Sequence, residues 1–199
     1  MSAELIFIYD SHCPWSYATT QLVNEVAEKL PEIRIYFWHS AYFEGNEIVN
    51  KQQLDTVTQL SNISFAKSYE IQSEQVKDST LAANLLAWAD QKAPTTTLAL
   101  LNAIQKSHFQ QGKMIEDKAD VESLCEALKL SPPAKALTKE KLTKDAENNI
   151  HEIFEMQDII GTKAIPALLL AVNDNLTLLN HHLYLLEPSK IVEAIKLEL

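Results

Sequence analysis

The chain has 199 residues and a formal net charge of −10, with 46% hydrophobic residues and only 3 glycines. This length and composition are typical of one globular, helix-rich domain, or one domain with an insertion, and they exclude a disordered chain. The negative charge argues against a nucleic-acid-binding surface, which would be basic.

Neither a secretory signal nor a membrane span is expected. No basic segment with a long apolar run and a small-residue cleavage site precedes the first predicted strand. The longest apolar run, residues 164–172, is too short to cross a bilayer. The two cysteines, Cys13 and Cys125, do not make a disulfide framework. These features together predict a protein of the reducing cytoplasm.

The first predicted strand leads directly into a turn that contains a cysteine. The apolar run Leu5–Tyr9 is typical of a buried strand, and Pro31 ends the helical pattern that follows. Cys13 lies between the two, with Pro14 at the predicted first helical position, where a missing N–H costs nothing. Free N–H groups and the positive end of the helix dipole favour a thiolate there. Cys13 is therefore predicted to be a nucleophile with a pKa below the usual value of about 8.5.

Helical spacing dominates the middle of the chain. A second strand over residues 33–38 implies a parallel pair with the first, joined by a right-handed crossover. From about residue 48 to 160 the apolar period is helical. The predicted helices of this region start at Asp78–Ser79, run from Pro94–Thr95 to about Gly112, follow Val121 to Leu128, and run from about Asp145 to Ile160 with Gly161 as the C-cap.

Strands return near the end of the chain. Residues 167–172 and 176–179 predict a hairpin across a tight turn, and Pro188–Ser189 opens a final amphipathic helix. The order is β-α-β, a block of helices, α, β-β, α. It predicts an α/β fold whose three parts cover residues 1–45, 46–145 and 146–199.

This order, with Cys13-Pro14-Trp15-Ser16 on the first helix and Ile165-Pro166 before the third strand, resembles the DsbA-like thioredoxin-fold family. It is most similar to the cytoplasmic FrnE-type disulfide isomerases, and to the related kappa-class glutathione transferases and 2-hydroxychromene-2-carboxylate isomerases. Residues 9–17 carry the pattern Tyr-Asp-x-x-Cys-Pro-Trp-x-Tyr. The resemblance implies a thioredoxin fold in two parts, residues 1–45 and 146–199, interrupted by an all-helical subdomain.

The resemblance also implies a substrate site. Pro166 should be in the cis form and face Cys13 across a cleft, and the backbone of Ile165 should bind an extended substrate or glutathione like an added strand. Pro14 and Trp15 would complete this substrate-binding surface. The resemblance implies no metal and no tightly bound cofactor, with glutathione as a co-substrate. Partners would be glutathione or protein thiols and disulfides, without nucleic acid or membrane, and the resemblance allows a homodimer.

One position departs from the family pattern. Redox members carry Cys-x-x-Cys, whereas this chain has Ser16 in the second position. Cys13 can then form a mixed disulfide but cannot release it by closing an internal disulfide. We therefore predict a thiol–disulfide oxidoreductase or isomerase with Cys13 and Ser16 as catalytic residues, resolved by glutathione. Two alternatives stay open: a glutathione-dependent transferase or isomerase acting on a small electrophile, and a non-catalytic peptide-binding module.

The neighbours of Cys13 each admit two interpretations. Ser16 could hydrogen-bond the thiolate, or only satisfy the backbone of the first helical turn. His12 could lower the thiol pKa by adding positive charge, but is expected to point to solvent. Asp10 could relay protons, but is expected to cap the turn.

Residues outside the motif are assigned mainly to structure. Cys125 shares an apolar helical stripe and is expected in the core. His181 and His182, adjacent in a predicted strand, should face opposite sides and lie at the surface. Tyr42, with Trp15, could line a hydrophobic cleft, whereas Trp88 fits the core of the helical insert. The histidine at position 151 lacks the second histidine of a zinc-protease helix, so no metal site is expected.

Overall fold

The computed structural model describes residues 3–199, and within them the predicted α/β order is confirmed. The strands are Ala3–Tyr9 (β1), Arg34–His39 (β2), Glu44–Glu47 (β3), Lys77–Asp78 (β4), Ala167–Val172 (β5) and Asn175–Leu179 (β6). The α-helices are Pro14–Lys29 (α1), Lys51–Leu60 (α2), Lys67–Gln72 (α3), Thr80–Lys92 (α4), Thr97–Gln105 (α5), Lys118–Ala127 (α6), Lys144–Ile160 (α7) and Lys190–Glu198 (α8).

The main sheet has the strand order β2-β1-β5-β6. β1 and β2 are parallel, with Glu4 opposite Arg34 and Tyr9 opposite His39, as the strand–helix–strand pattern predicted. β5 runs antiparallel to β1 and pairs with β6 as the predicted hairpin. The carboxyl ends of β1 and β2 therefore lie side by side, and the chain leaves β1 directly toward Cys13.

Helices cover both faces of this sheet, so successive side chains of β1 enter two different apolar clusters. On one face Leu5 and Phe7 pack with residues of α1, α4 and α8. On the other face Ile6 and Ile8 pack against Ile153 of α7. Because α4 belongs to the helical insert, the insert also supplies part of the layer that covers the sheet. The boundaries predicted at residues 45/46 and 145/146 stay a prediction.

Two features of the fold differ from the sequence prediction. β3 and β4 form a short antiparallel ladder that was not predicted, and β4 lies within the region where only helices were expected. These strands have four and two residues, and the first is Glu-Gly-Asn-Glu, so neither shows the apolar alternation that marks a strand. The strand assignment of His181 and His182 is also wrong, since β6 ends at Leu179 and both histidines lie in the 3-10 helix His181–Tyr184.

The C-terminal end of α7 was predicted correctly from the local sequence. α7 stops at Ile160, and Gly161 follows in the left-handed conformation with φ +69°, which glycine adopts without a steric penalty. Among residues 3–199, no helix combines the length and apolarity needed to cross a membrane.

Candidate active site

Cys13 occupies the N-cap position of α1, at the junction that the sequence predicted. Its backbone is extended, its N–H donates to the carbonyl of Asp10 (3.1 Å), and Pro14 is the first helical residue. Asp10, Ser11 and His12 are completely buried, whereas Cys13 is 6% exposed. Of these four consecutive residues, Cys13 alone retains access to solvent.

The surroundings of Cys13 do not favour its thiolate. Burial raises the pKa of the Cys13 thiol to about 11, and the negative charge of Asp10 acts in the same direction. Hydrogen bonds from the N–H and hydroxyl of Ser16 and from the N–H of Trp15 lower the pKa, as predicted for a helix N-terminus. Loss of solvation of the thiolate raises the pKa by more than these hydrogen bonds lower it. The predicted low pKa is therefore wrong, and Cys13 rests as a protonated thiol at neutral pH.

Ser16 combines the two roles that the sequence left open. Its side chain is completely buried, and its hydroxyl oxygen accepts a hydrogen bond from the N–H of Asp10 (3.2 Å). The same hydroxyl donates toward Cys13 and lowers the thiol pKa. Ser16 thus connects the end of β1 to the cysteine, and it is not merely a helix-capping serine.

Asp10 is the centre of a buried network that joins three segments. One carboxylate oxygen accepts from the N–H of His12 (2.8 Å), which confirms the predicted cap of the turn. The other accepts from the N–H of Tyr42 (2.7 Å), more weakly from the N–H of Phe43 (3.4 Å), and from the Ser79 hydroxyl (2.7 Å). Asp10 therefore links three segments: residues 10–13, which we call the cysteine turn, the loop after β2, and the start of α4.

Two buried histidines lie behind the turn. His12 was expected at the surface, but it is completely buried, with Nε2 2.9 Å from the carbonyl of Met114 and Nδ1 2.9 Å from the Ser11 hydroxyl. Because a carbonyl only accepts, a neutral His12 carries its proton on Nε2 and accepts from Ser11 through Nδ1. The same Ser11 hydroxyl lies 2.8 Å from Nε2 of His39, whose Nδ1 accepts from the N–H of Ala41.

These histidines add no positive charge beside Cys13 at neutral pH. Burial is the main cause that lowers the pKa of His12, and it lowers the pKa of His39 to about 4. Charging either ring would place a cation in a completely buried position, where solvation is lost. Both histidines therefore act as hydrogen-bonding links between the turn and its neighbouring loops.

The side chain of Cys13 packs against residues of the loop after β2 and of the helical insert. The buried members of this apolar cluster are Cys13, Phe43, Val49, Leu54, Tyr69 and Phe109. Phe109 lies in the π-helix Lys106–Gln110, and π-helical turns often occur at functional sites. The cysteine thus lies where the thioredoxin-like part meets the insert.

The second cysteine is not placed to react with the first. Cys125 is 5% exposed and belongs to the large core cluster that covers the sheet, as its helical stripe predicted. Both cysteines are free. Trp88 also packs on the large cluster, as predicted. Within residues 3–199, no group of three or more His, Cys, Asp or Glu side chains is placed to bind a metal ion.

The Ile165–Pro166 peptide bond is cis, as the resemblance implied. Pro166 borders a cavity of about 330 Å³ that is also lined by Asn180, His181 and His182. The ring of His182 stacks on Trp15, with centroids 4.9 Å apart and planes inclined by 15°. Trp15, two residues after Cys13, therefore reaches the residues that line the cis-proline cavity.

Several residues of the site were not identified from the sequence. Three of them lie far from the motif along the chain, namely His39, Ser79 and His182. Pairing of β2 with β1 places His39 in the site, and packing of α4 places Ser79 there. The adjacent histidines at 181 and 182 were a usable signal, but the strand assignment placed them at the surface.

Three features define the class of thioredoxin-fold proteins to which this chain is assigned: a thioredoxin-type sheet, a cysteine at the N-cap of the first helix, and a cis-proline before the third strand of the main sheet. The family model "DSBA-like thioredoxin domain" matches residues 4–162, and the chain belongs to this family. The fold has the mixed sheet and inserted helices that were predicted for it. No significant match to a curated protein sequence was found.

Solved structures show the same fold. The cytosolic disulfide reductase DsbM from Pseudomonas aeruginosa superposes with a TM-score of 0.77 at 17% identity, over 98% of both chains. DsbM with GSH gives 0.74 at 18% identity, covering 98% of this chain and 100% of that one. A 2-hydroxychromene-2-carboxylate isomerase gives 0.62 at 16% identity, covering 98% and 97%. A periplasmic thioredoxin-like protein from Salmonella enterica serovar Typhimurium also matches, at 0.56 and 14% identity over 98% and 83%.

Proposed function

We propose that this protein is a thiol–disulfide oxidoreductase or isomerase that acts through Cys13 alone. The observation that carries the proposal is the pair Cys13 and Ser16: the serine occupies the position of a resolving cysteine and hydrogen-bonds the thiol. Cys125 belongs to a different apolar cluster and offers no substitute. A mixed disulfide on Cys13 must then be resolved by an external thiol.

The reaction has two exchange steps. Cys13 loses its proton to solvent, and its thiolate attacks a substrate disulfide, forming a mixed disulfide and releasing one substrate thiolate. The glutathione thiolate then attacks the substrate sulfur of the mixed disulfide, which forms a disulfide between glutathione and the substrate and releases the Cys13 thiolate. The proposed partners are therefore glutathione and protein thiols or disulfides, with glutathione as a co-substrate. The cytosolic DsbM and its complex with GSH support this choice and a cytoplasmic location.

Substrate docking is proposed at the cis-proline. The backbone of Ile165 would pair with an extended substrate, while Pro14, Trp15 and Pro166 bound the surface on which it lies. The stacked pair of Trp15 and His182 supports this assignment because it connects the cysteine helix to the cavity beside Pro166.

A coupled assay tests the exchange reaction. The substrate is a peptide carrying glutathione on its cysteine, and turnover is followed with glutathione, glutathione reductase and NADPH. Turnover should require glutathione, should disappear in Cys13→Ala, and should persist in Cys125→Ala. Equal turnover in wild type and Cys13→Ala would contradict the proposal, since the chemistry would then not depend on this sulfur.

The raised pKa of Cys13 favours a second candidate, a glutathione-dependent transferase or isomerase acting on a small electrophile. A protonated Cys13 thiol would donate a hydrogen bond to the glutathione sulfur and would not attack a disulfide. The fold of a 2-hydroxychromene-2-carboxylate isomerase is consistent with this chemistry. Calorimetry separates the two: saturable glutathione binding that survives Cys13→Ser, with no exchange in the coupled assay, favours the second candidate.

A further inference from the structure

The loop Ser40–Phe43, between β2 and β3, is held by hydrogen bonds from each of its N–H groups. The N–H of Ser40 donates to the carbonyl of Tyr9 (2.7 Å), and that of Ala41 to Nδ1 of His39 (3.0 Å). The next two N–H groups donate to Asp10, as described above. Because four consecutive N–H groups of this loop donate to buried partners, the loop is held in one conformation.

The same loop contains an unfavourable backbone conformation. Ala41 has φ +48°, in the left-handed region that residues with a Cβ rarely adopt, and it is only 2% exposed. Such conformations persist only where surrounding contacts enforce them, and they concentrate at functional sites. Tyr42 directly follows Ala41 in the chain.

Tyr42 is directed outward, although both of its neighbours are buried. Its side chain is 52% exposed, whereas Ala41 and Phe43 are 2% and 3% exposed. Its ring stands perpendicular to that of Phe43, with centroids 5.2 Å apart, and Phe43 belongs to the apolar cluster of Cys13. The N–H groups of Tyr42 and His12 donate to the same carboxylate, so the loop and the cysteine turn run side by side.

Resting on the proposed exchange reaction, we propose that Tyr42 is a catalytic residue that contacts the disulfide substrate. Its phenolic O–H donates a hydrogen bond to the sulfur that leaves when Cys13 attacks. In that step the Cys13 thiolate attacks one sulfur of R–S–S–R′, a bond between Cys13 and that sulfur forms, and the original S–S bond breaks. The electron pair stays on R′–S⁻, which later takes a proton from solvent.

The phenol of Tyr42 is suited to this role because it remains protonated. Burial is the main cause that raises the pKa of Tyr42 above its ordinary value, followed by the charge of Glu47, by Cys13 when it is ionised, and by the charge of Asp10. Two other phenols lie in the surroundings of Cys13. Tyr69 is 1% exposed and cannot meet an incoming substrate, and Tyr17 is half-buried, stacks on Phe109 and accepts a hydrogen bond from the Gln110 amide (3.4 Å). Tyr42 is the most exposed of these three phenols.

The test uses single-turnover exchange with mixed disulfides of one peptide, in which the leaving thiol is 2-nitro-5-thiobenzoate, glutathione or 2-mercaptoethanol. Tyr42→Phe should slow release of 2-mercaptoethanol about tenfold, the effect of one hydrogen bond to a charged sulfur. Release of 2-nitro-5-thiobenzoate should change by less than about twofold, because its sulfur carries less localised charge. Tyr36→Phe, on β2, is the matched control and should leave all three rates unchanged.

The outcomes separate this inference from the exchange function. An equal loss of rate with all three leaving thiols, or no loss, would overturn the role of Tyr42 while Cys13-dependent exchange stands. If wild type forms no mixed disulfide at Cys13 with any of the three, the exchange function fails and the role of Tyr42 fails with it.

Discussion

The cysteine turn and the cis-proline end of β5 are built in opposite ways. In the turn, Asp10, Ser11 and His12 are completely buried and Asp10 accepts from four donors. At the other region, Pro166 borders a cavity of about 330 Å³, and His182 is exposed and held by stacking on Trp15. On the proposed function, the closed region would control the reactivity of the sulfur, whereas the open region would bind the substrate.

The largest effect predicted from this comparison is the pH dependence of Cys13. Because its pKa is raised to about 11, the thiolate fraction increases about tenfold per pH unit below that value. The rate of alkylation of Cys13 by iodoacetamide should therefore rise about a thousandfold from pH 7 to pH 10. Rates are measured in Cys125→Ala so that a single thiol reports. A plateau reached below pH 8 would show that the turn does not suppress the thiolate.

Removal of the central carboxylate should damage the closed region. Asp10→Ala leaves the N–H groups of His12 and Tyr42 without their acceptor in buried surroundings, and the Ser79 hydroxyl keeps only its longer contact with the Phe43 carbonyl (3.3 Å). The free energy of unfolding should fall by about 3 kcal/mol in urea denaturation. Asp158→Ala, on the exposed surface of α7, should change it by less than about 0.5 kcal/mol. Equal effects of the two substitutions would disprove the central position of Asp10.

Ser16→Ala should act on reactivity more than on stability. The substitution removes a hydroxyl that donates toward Cys13, so the thiol pKa should rise further. Alkylation of Cys13 at pH 9 should slow about fivefold, a modest effect for one hydrogen bond to a charged group. Ser131→Ala, at an exposed position, is the control. An unchanged or faster alkylation rate in Ser16→Ala would mean that the hydroxyl does not stabilise the thiolate.

The smallest structural effect is expected in the open region. His182→Ala removes an exposed ring that stacks on Trp15, so the free energy of unfolding should fall by less than about 1 kcal/mol. In the coupled assay the KM for the glutathionylated peptide should nevertheless rise, since the wall of the cis-proline cavity is altered. His151→Ala, exposed on α7, should change neither quantity. A loss of stability as large as that of Asp10→Ala would show that His182 belongs to the closed region and not to the open one.

The fold was predictable because its main signals are local. The apolar run of β1, the position of Pro14 and the glycine after α7 each determine an element or a boundary through nearby residues. The ladder of β3 and β4 was missed because its pairing connects short polar segments 30 residues apart and is set by tertiary packing.

The site was only partly predictable, and the pKa of Cys13 shows why. The position of Cys13 at a helix N-terminus was predicted correctly, and the hydrogen-bond donors there do lower the pKa. The sequence could not give the burial contributed by Phe43, Tyr69 and Phe109, which come from distant parts of the chain. Solvation depends on these long-range contacts, and here it decides the direction of the shift. His12 was misplaced for the same reason, since its partner Met114 lies 102 positions away.

Mass spectrometry of the intact protein after brief incubation with glutathione disulfide tests the central claim most directly. One glutathione adduct should form on wild type and on Cys125→Ala, none on Cys13→Ala, and added glutathione should remove it. An adduct that persists in Cys13→Ala, or no adduct on wild type even at pH 10, would contradict the assignment of Cys13 as the exchanging thiol.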